Sequence, residues 1–162
     1  MGVNEPCGRT RTATGATMII RRAVAADVSA IAACARAAYS KYIERIGQQP
    51  APMLADFATQ VAQQQVEVML AEHDLLAFAV SYPLDDCYFL ENIAVDPARQ
   101  GHGYGAGMLN HIHALAVGYP VIRLYTNEKM HENLVWYRRR GYIETARVFE
   151  DGFARVYMER QL

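Results

Sequence analysis

The 162-residue chain contains no run of eighteen apolar residues, so it offers no membrane-spanning helix. Its N-terminus has no apolar h-region and does not read as a signal peptide. Met1-Gly2 opens like a myristoylation site, but Pro6 stands where that motif needs Ser or Thr. Cysteine is scarce: Cys7, Cys34 and Cys87 are odd in number and form no CxxC pair, which fits a reduced, cytoplasmic protein better than a disulfide framework. An excess of either charge is lacking as well. Lys and Arg total 16 against 17 Asp and Glu, a net charge of −1, so no footprint for nucleic acid or an anionic membrane is present. Metal-ligand spacing is also missing. His111 and His113 are i, i+2 on a helical pattern and face different sides, and His73 and His131 have no ligand partner nearby, so no metal is expected.

What is present is an ordinary core-forming composition, 52% hydrophobic and 20% charged, at a length suited to one domain. Residues 1–17 are rich in Gly, Thr and Arg, show no periodicity and precede a second methionine. They predict a disordered tail, with a single domain over 18–162. Met18–Arg21 reads as a strand, and Asp27 as the N-cap of a helix from Val28 to about Tyr39. Tyr42–Gly47 continues as a second short helical or irregular piece. Pro50-Ala-Pro52 breaks it and predicts a helix from Met53 to about Gln63, with Leu54, Phe57 and Val61 inward. Strands follow at Val66–Glu72, Leu75–Tyr82 and Cys87–Val95. A helix with Met108, Ile112 and Leu115 on one face ends at Gly118 and Pro120. Strand Val121–Tyr125, a helix around Glu132–Arg140, and a hairpin turning at Asp151-Gly152 complete the chain. The order β-α-α-β-β-β-α-β-α-β-β predicts an α+β fold with a mixed sheet.

The most informative segment is Ile93-Ala-Val-Asp-Pro-Ala-Arg-Gln-Gly-His-Gly-Tyr104, a strand end followed by a glycine-rich turn that opens a helix. Such a turn leaves backbone N–H groups unpaired and aimed at one point, an anion site. A Walker loop needs Gly-Lys-Ser/Thr after its glycines, and no lysine is there. A dinucleotide fingerprint belongs after a first strand within βαβ units, whereas these glycines follow the fourth. A glycine turn without a ligand remains a third reading.

Gln100-Gly-His-Gly-Tyr-Gly105 matches the pattern Gln/Arg-x-x-Gly-x-Gly/Ala, and Asn133-Leu-Val-Trp-Tyr137 followed by Gly141-Tyr142 lies downstream in the right order. Together they resemble the GNAT superfamily of N-acetyltransferases, from about Met18 to Leu162 and most specifically between Glu91 and Tyr142. The resemblance implies a GNAT-like, mostly antiparallel sheet and acetyl-CoA as co-substrate. It implies that Gln100, Gly101, His102, Gly103, Tyr104 and Gly105 bind the pyrophosphate. It further implies that Ile93, Ala94 and Val95, splayed from the strand Val121–Tyr125, bind the pantetheine arm as a pseudo-strand, and that Val95's amide polarises the thioester carbonyl. Physically, Gly103 and Gly105 let backbone approach an anion without a Cβ, and a free strand edge suits the amides of pantetheine. Arg99 and His102 either add charge near phosphates or stay solvated.

By the same resemblance Tyr137 is the general acid that protonates the leaving thiolate, with Asn133 one helical turn away on the same face. A phenol of pKa about 10 is protonated at neutral pH and suits that role. Glu91, inside the apolar strand Tyr88-Phe-Leu-Glu-Asn-Ile-Ala-Val95, is the candidate base that deprotonates the amine; alternation groups it with Phe89 and Ile93. A strand-edge glutamate paired with an arginine is the other reading. Tyr125-Thr-Asn127 should border the acceptor pocket, with Asn127 also suited to capping the next turn. Tyr39, Tyr42, Glu44, Arg45 and Gln48 either shape the acceptor pocket, where an Arg suits an amine bearing a carboxylate, or form an exposed helical surface. The acceptor is then an amine on a small molecule or peptide. Exposed strand edges in such folds suit a homodimer. A non-catalytic acyl-CoA-binding module is the alternative function.

Overall fold

The three strand patterns between residues 66 and 95 become the centre of one sheet. The computed structural model describes residues 10–11 and 17–162. In chain order these form β1 (Thr10–Arg11), β2 (Thr17–Arg22), α1 (Val28–Tyr39), α2 (Ile43–Ile46) and α3 (Phe57–Ala62). β3 (Val66–Ala71), β4 (Asp74–Pro83), β5 (Tyr88–Val95) and α4 (Tyr104–Leu115) follow. β6 (Val121–Asn127), α5 (His131–Arg138), β7 (Ile143–Glu150) and β8 (Phe153–Gln161) end the chain. The sheet order is β1-β2-β3-β4-β5-β6-β8-β7, antiparallel throughout except for β5 beside β6. Inside the segment expected as a disordered tail, Thr10–Arg11 pairs with Thr17 and Met18. Otherwise residues 1–16 lie outside the described residues.

Each face of the sheet carries its own core. On one, Ile31, Ala35, Phe57 and Val61 of α1 and α3 cover Val66, Val68, Phe78 and Val80. Phe57 meets Phe78 edge-on, ring centres 5.4 Å apart. On the other, Met108, Leu109 and Ile112 of α4 cover Met69, Leu76, Leu90, Ile122 and Leu124. β7 closes one side of the sheet as an edge strand, with Ile143, Val148 and Phe149 exposed. No helix among the described residues is long and apolar enough to cross a membrane.

Two local expectations need correction. The helix expected from Met53 is split: Ala51–Leu54 is a 3-10 turn, Ala55 is extended, and α3 begins only at Phe57. Asp56 sets that start, because its carboxylate accepts from Thr59 N (3.1 Å) and Thr59 Oγ1 (2.8 Å), a stronger N-cap than the prolines upstream. Leu54 consequently points outward at 63% exposure, while Phe57 and Val61 are buried. Asp27 stands at the N-cap position of α1, as expected, but its side chain makes no capping bond there. It is the last residue of a 3-10 turn, Ala25–Asp27, reaching back to Val24 N (2.8 Å) and forming a two-bonded ion pair with Arg21.

The feature that positions the site is a β-bulge. Val80 pairs with Asn92 but Ser81 with Leu90, which leaves Glu91 as the extra residue in β5. The bulge inverts the alternation, correcting the grouping of Glu91 with Ile93. Ahead of it, Tyr88 and Leu90 join the α4-side core; beyond it, Ile93 and Val95 do, while Ala94 joins the α1-side core. Glu91 instead stays on the α1/α3 side beside Asn92, where its carboxylate meets Gln60 and Asn92 meets Tyr39.

Candidate active site

β5 and β6 pair only where Tyr88–Leu90 faces Ile122–Leu124, although both strands run on. The bulge sits where the pairing ends, and the strands part. Asp96 N donates to Leu76 O (2.9 Å), so the alternation of an antiparallel ladder turns the backbone groups of Ile93 and Val95 to the opposite, open edge. Their carbonyls confirm the direction: Tyr39 Oη donates to Ile93 O (2.8 Å) and Gln100 Nε2 to Val95 O (3.3 Å). The amide N–H groups of Ile93 and Val95 therefore face the gap without a strand partner. Ala94, between them, turns its backbone to β4 and still lines the cleft.

The glycine turn runs directly into α4. Gly101 and Gly103 both have φ of +83°, and Gly103 is the residue before the helix. The first helical bond is Gly107 N to Gly103 O (3.0 Å), so the N–H groups of Tyr104, Gly105 and Ala106 have no helical acceptor. The first turn carries no acidic side chain. These amides, the open β5 edge and the end of α1 border a cleft of about 540 Å³. Arg99, Gln100, Gly101, Gly103, Tyr104, Gly105, Trp136 and Arg140 lie along it.

The two glycines expected to spare space for an anion serve different ends. A Cβ at position 103 would meet nothing within 4 Å, so Gly103 is required by its φ alone. A Cβ at position 105 would touch Val95 Cγ2 at 3.4 Å and Trp136 Cζ2 at 3.5 Å, ordinary packing distances. Gly103→Ala should therefore cost about 1–2 kcal/mol of stability. Gly105→Ala should retain wild-type stability within error. Thermal denaturation of the two variants checks the contrast.

α5 supplies the junction. Its face carries Asn133 and Tyr137 together, and Tyr137 is buried between Trp136 (ring centres 5.1 Å apart) and Tyr142 (5.5 Å). Among the described residues the Tyr137 hydroxyl makes no hydrogen bond, and burial raises its pKa above the usual phenol value. Asn133 Nδ2 lies 3.5 Å from Met130 Sδ. Tyr39 is tied to Asn92 Oδ1 (2.6 Å) as well as to Ile93 O, and burial raises its pKa too.

A second, smaller cavity of about 40 Å³ opens on the other side of this junction. Glu91, Asn92, Tyr125, Asn127, Phe153 and Arg155 line it, with Pro50 to Pro52 as a wall. Tyr39, Ile93, Asn133 and Tyr137 border both the cleft and this cavity. Among the described residues Glu91 has no arginine partner: its carboxylate accepts from Gln60 Nε2 and from Tyr82 Oη (3.3 Å), both neutral donors. Burial, and secondly Glu91, raise the pKa of Tyr82. Asn127 belongs to β6 and also does its expected capping, accepting from Lys129 N (3.0 Å).

Several expected residues lie elsewhere. His102 does not line the cleft; its side chain is exposed, with the ring edge-on to Tyr104 at 5.9 Å. Arg99 does line it but pairs with Asp74 (3.3 Å). Arg45 bonds Glu132 (2.9 Å) and pulls its pKa down to about 2, while Gln48 reaches Gly152 O (2.7 Å). Those contacts tie the α2 region to α5 and the β7–β8 turn, and Glu44 is exposed; none of the three lines either cavity. Tyr39 borders both cavities and Tyr42 borders the cleft. Arg140 stacks over Trp136 at 3.9 Å and faces the cleft, a placement legible from its i, i+4 spacing to that tryptophan. Arg155 carried no local sequence signal; cross-strand pairing with Asn127 brings it to the small cavity.

Solved structures share the fold. PaiA N-acetyltransferase from Thermoplasma acidophilum, in complex with coenzyme A, is 15% identical with a TM-score of 0.74, covering 90% of this chain and 99% of its own. The ribosomal-protein-S18-alanine N-acetyltransferase of Escherichia coli is 18% identical with a TM-score of 0.71, covering 89% and 93%. N-acetylglutamate synthase from Neisseria gonorrhoeae, complexed with coenzyme A and N-acetyl-glutamate, is 21% identical with a TM-score of 0.69; the likeness covers 90% of this chain and 35% of that one. At such identities the likeness speaks for the fold alone. No curated protein matches by sequence. The family model of the acetyltransferase (GNAT) domain matches residues 62–144, just over half of the 162-residue chain. That stretch runs from the end of α3 into β7 and holds the bulged strand, the glycine turn and the tyrosine helix, so the chain belongs to the GNAT family of acetyltransferases.

Proposed function

We propose that the protein transfers an acetyl group from acetyl-CoA directly to a primary amine while both are bound. The observation that carries this reading is the shared border: Tyr39, Ile93, Asn133 and Tyr137 belong to the large cleft and the small cavity at once. Coenzyme A in the similar Thermoplasma and Neisseria structures supports acetyl-CoA as the donor. When bound, acetyl-CoA supplies the thioester and a thiolate leaving group. The α4 amides and Arg140 suit its phosphates, and the free edge at Ile93 and Val95 suits its amide-bearing arm.

Within that arrangement Val95 N–H donates to the thioester carbonyl oxygen and stabilises the charge that grows there. Glu91 takes the proton of the acceptor ammonium, directly or through water. Tyr137 gives its phenolic proton to the departing sulfur and recovers one from the nitrogen, which sheds its second proton as the amide forms, while the ammonium proton taken by Glu91 passes to solvent. Asn133 steadies the donor at the junction. The acceptor is an amine on a small molecule or a peptide. A homodimer would find its pairing surface along the open β7 edge, and the free, buried Cys34 and Cys87 fit a reducing cytoplasmic setting.

The test is an acceptor panel with acetyl-CoA, read by free-thiol release and mass of the product. Thiol release with an amine, and intersecting double-reciprocal plots, are expected. Parallel plots with an acetylated protein would overturn direct transfer, and no release with any amine would favour a binding module.

A further inference from the structure

Arg155 is a side chain that the transfer chemistry does not use. It projects from β8 into the small cavity at 12% side-chain exposure, with its guanidinium over the Tyr125 ring at 4.3 Å. One end is anchored: Nη1 donates to Glu150 Oε1 (3.2 Å) and Asp151 Oδ2 (3.1 Å). Every hydrogen bond that Arg155 makes among the described residues uses that nitrogen. Its Nε is buried with no acceptor. An unpaired buried donor is costly, more so when charged, so the fold holds this guanidinium part-satisfied. The free Nε and Nη2 hydrogens lie side by side on a planar guanidinium, in the geometry that a carboxylate accepts with both oxygens.

Glu91 occupies the same cavity with the opposite charge. Tyr125 senses both groups: Arg155 lowers the pKa of its phenol and Glu91 raises it, secondary to burial, so the two charges lie near one ring. Pro50, Pro52 and Phe153 add apolar walls. Resting on the acetyl-transfer reading above, we infer that the acceptor is a small amino acid-like zwitterion, its carboxylate held by the Nε/Nη2 edge of Arg155 and its amine directed toward Glu91 and Tyr137. The anchoring carboxylates of Glu150 and Asp151 make the opposite preference, for an acceptor that is wholly cationic, the outcome to be tested against.

The experiment uses matched twins that differ by one carboxylate: leucine against 3-methylbutylamine, phenylalanine against 2-phenylethylamine, and lysine against cadaverine. Steady-state kcat/KM is measured for each with acetyl-CoA. Calorimetry follows the corresponding N-acetyl products binding to the protein saturated with coenzyme A, which needs no turnover. For at least one pair the carboxylated twin should be favoured roughly 10- to 100-fold in both readouts, the range of a hydrogen bond to a charged group. Arg155→Lys keeps the cation but loses the fork, and should collapse that ratio, chiefly through KM. Twins of equal affinity, a preference for the decarboxylated member, or no binding by either would overturn the inference. Titration of coenzyme A alone reports separately whether the donor reading stands. Should Arg155→Lys fail to fold, the wild-type ratios still decide.

Discussion

Tyr137→Phe should lower kcat by about 100- to 10,000-fold, the range lost with a positioned proton donor, while leaving the fold and the affinity for coenzyme A nearly unchanged. The substitution removes one oxygen and no packing. The ring remains between Trp136 and Tyr142, and the hydroxyl has no partner among the described residues whose loss would leave a buried group unpaired. A core tyrosine kept for structure would normally bond its hydroxyl to backbone, as Tyr39 does through Ile93 O. Tyr137 instead presents a free phenol where the two cavities join.

The environment of that phenol fixes the pH dependence. Burial disfavours the phenolate, so the pKa of Tyr137 lies above the usual value for tyrosine and the proton stays on oxygen at every physiological pH. A group that donates a proton loses function above its pKa. Titration of Tyr137 should therefore give kcat no descending limb below about pH 10. On the acid side, activity should rise with pH as the acceptor ammonium becomes easier to deprotonate. The variant should keep that rise at a lower plateau. Stopped assays across the range, with thermal denaturation of both proteins, check it; a kcat within about threefold of wild type would remove Tyr137 from the acid role.

Legibility in the sequence followed the range of the interactions. The glycine turn, the strand before it and the Asn133–Tyr137 helix depend on neighbours a few residues away, and each stands close to where local pattern placed it. Asp56 was equally local but was outweighed in the sequence reading by two prolines, which moved the start of α3. The bulge at Glu91 was not legible, because an extra residue exists only relative to the pairing of β4. Alternation counted along β5 alone consequently put Glu91 and Ile93 on one face. Arg155 was hidden for the same reason: its place in the cavity follows from pairing with Asn127. Of the two readings of the α2 region, an acceptor pocket or an exposed surface, Arg45 takes neither cavity and bonds Glu132, while a residue over a hundred positions later stands at the small cavity.

Glu91→Gln should lower kcat/KM by about 100-fold near neutral pH, and the deficit should shrink as the pH approaches that of a free amine, about 10. A β-bulge with a carboxylate at its apex is costly unless the charge is used or paired, and among the described residues no cation pairs with it. Gln60 and Tyr82 hold the carboxylate by hydrogen bonds that orient it without neutralising it. The amide substitution preserves that framework. Gln60 Oε1 is buried with no donor, so on turning over it can accept from the introduced amide, and Tyr82 can still donate to the remaining oxygen. Stability should consequently change little, whereas the ability to take a proton is gone. At high pH the acceptor arrives already deprotonated and has no need of Glu91, which is why the loss should fade there. A structural glutamate would behave differently: its loss would lower activity by the same factor at every pH and in step with a lower Tm. The ratio of wild-type to variant kcat/KM, measured from pH 6 to 10 beside the two melting curves, separates the two roles.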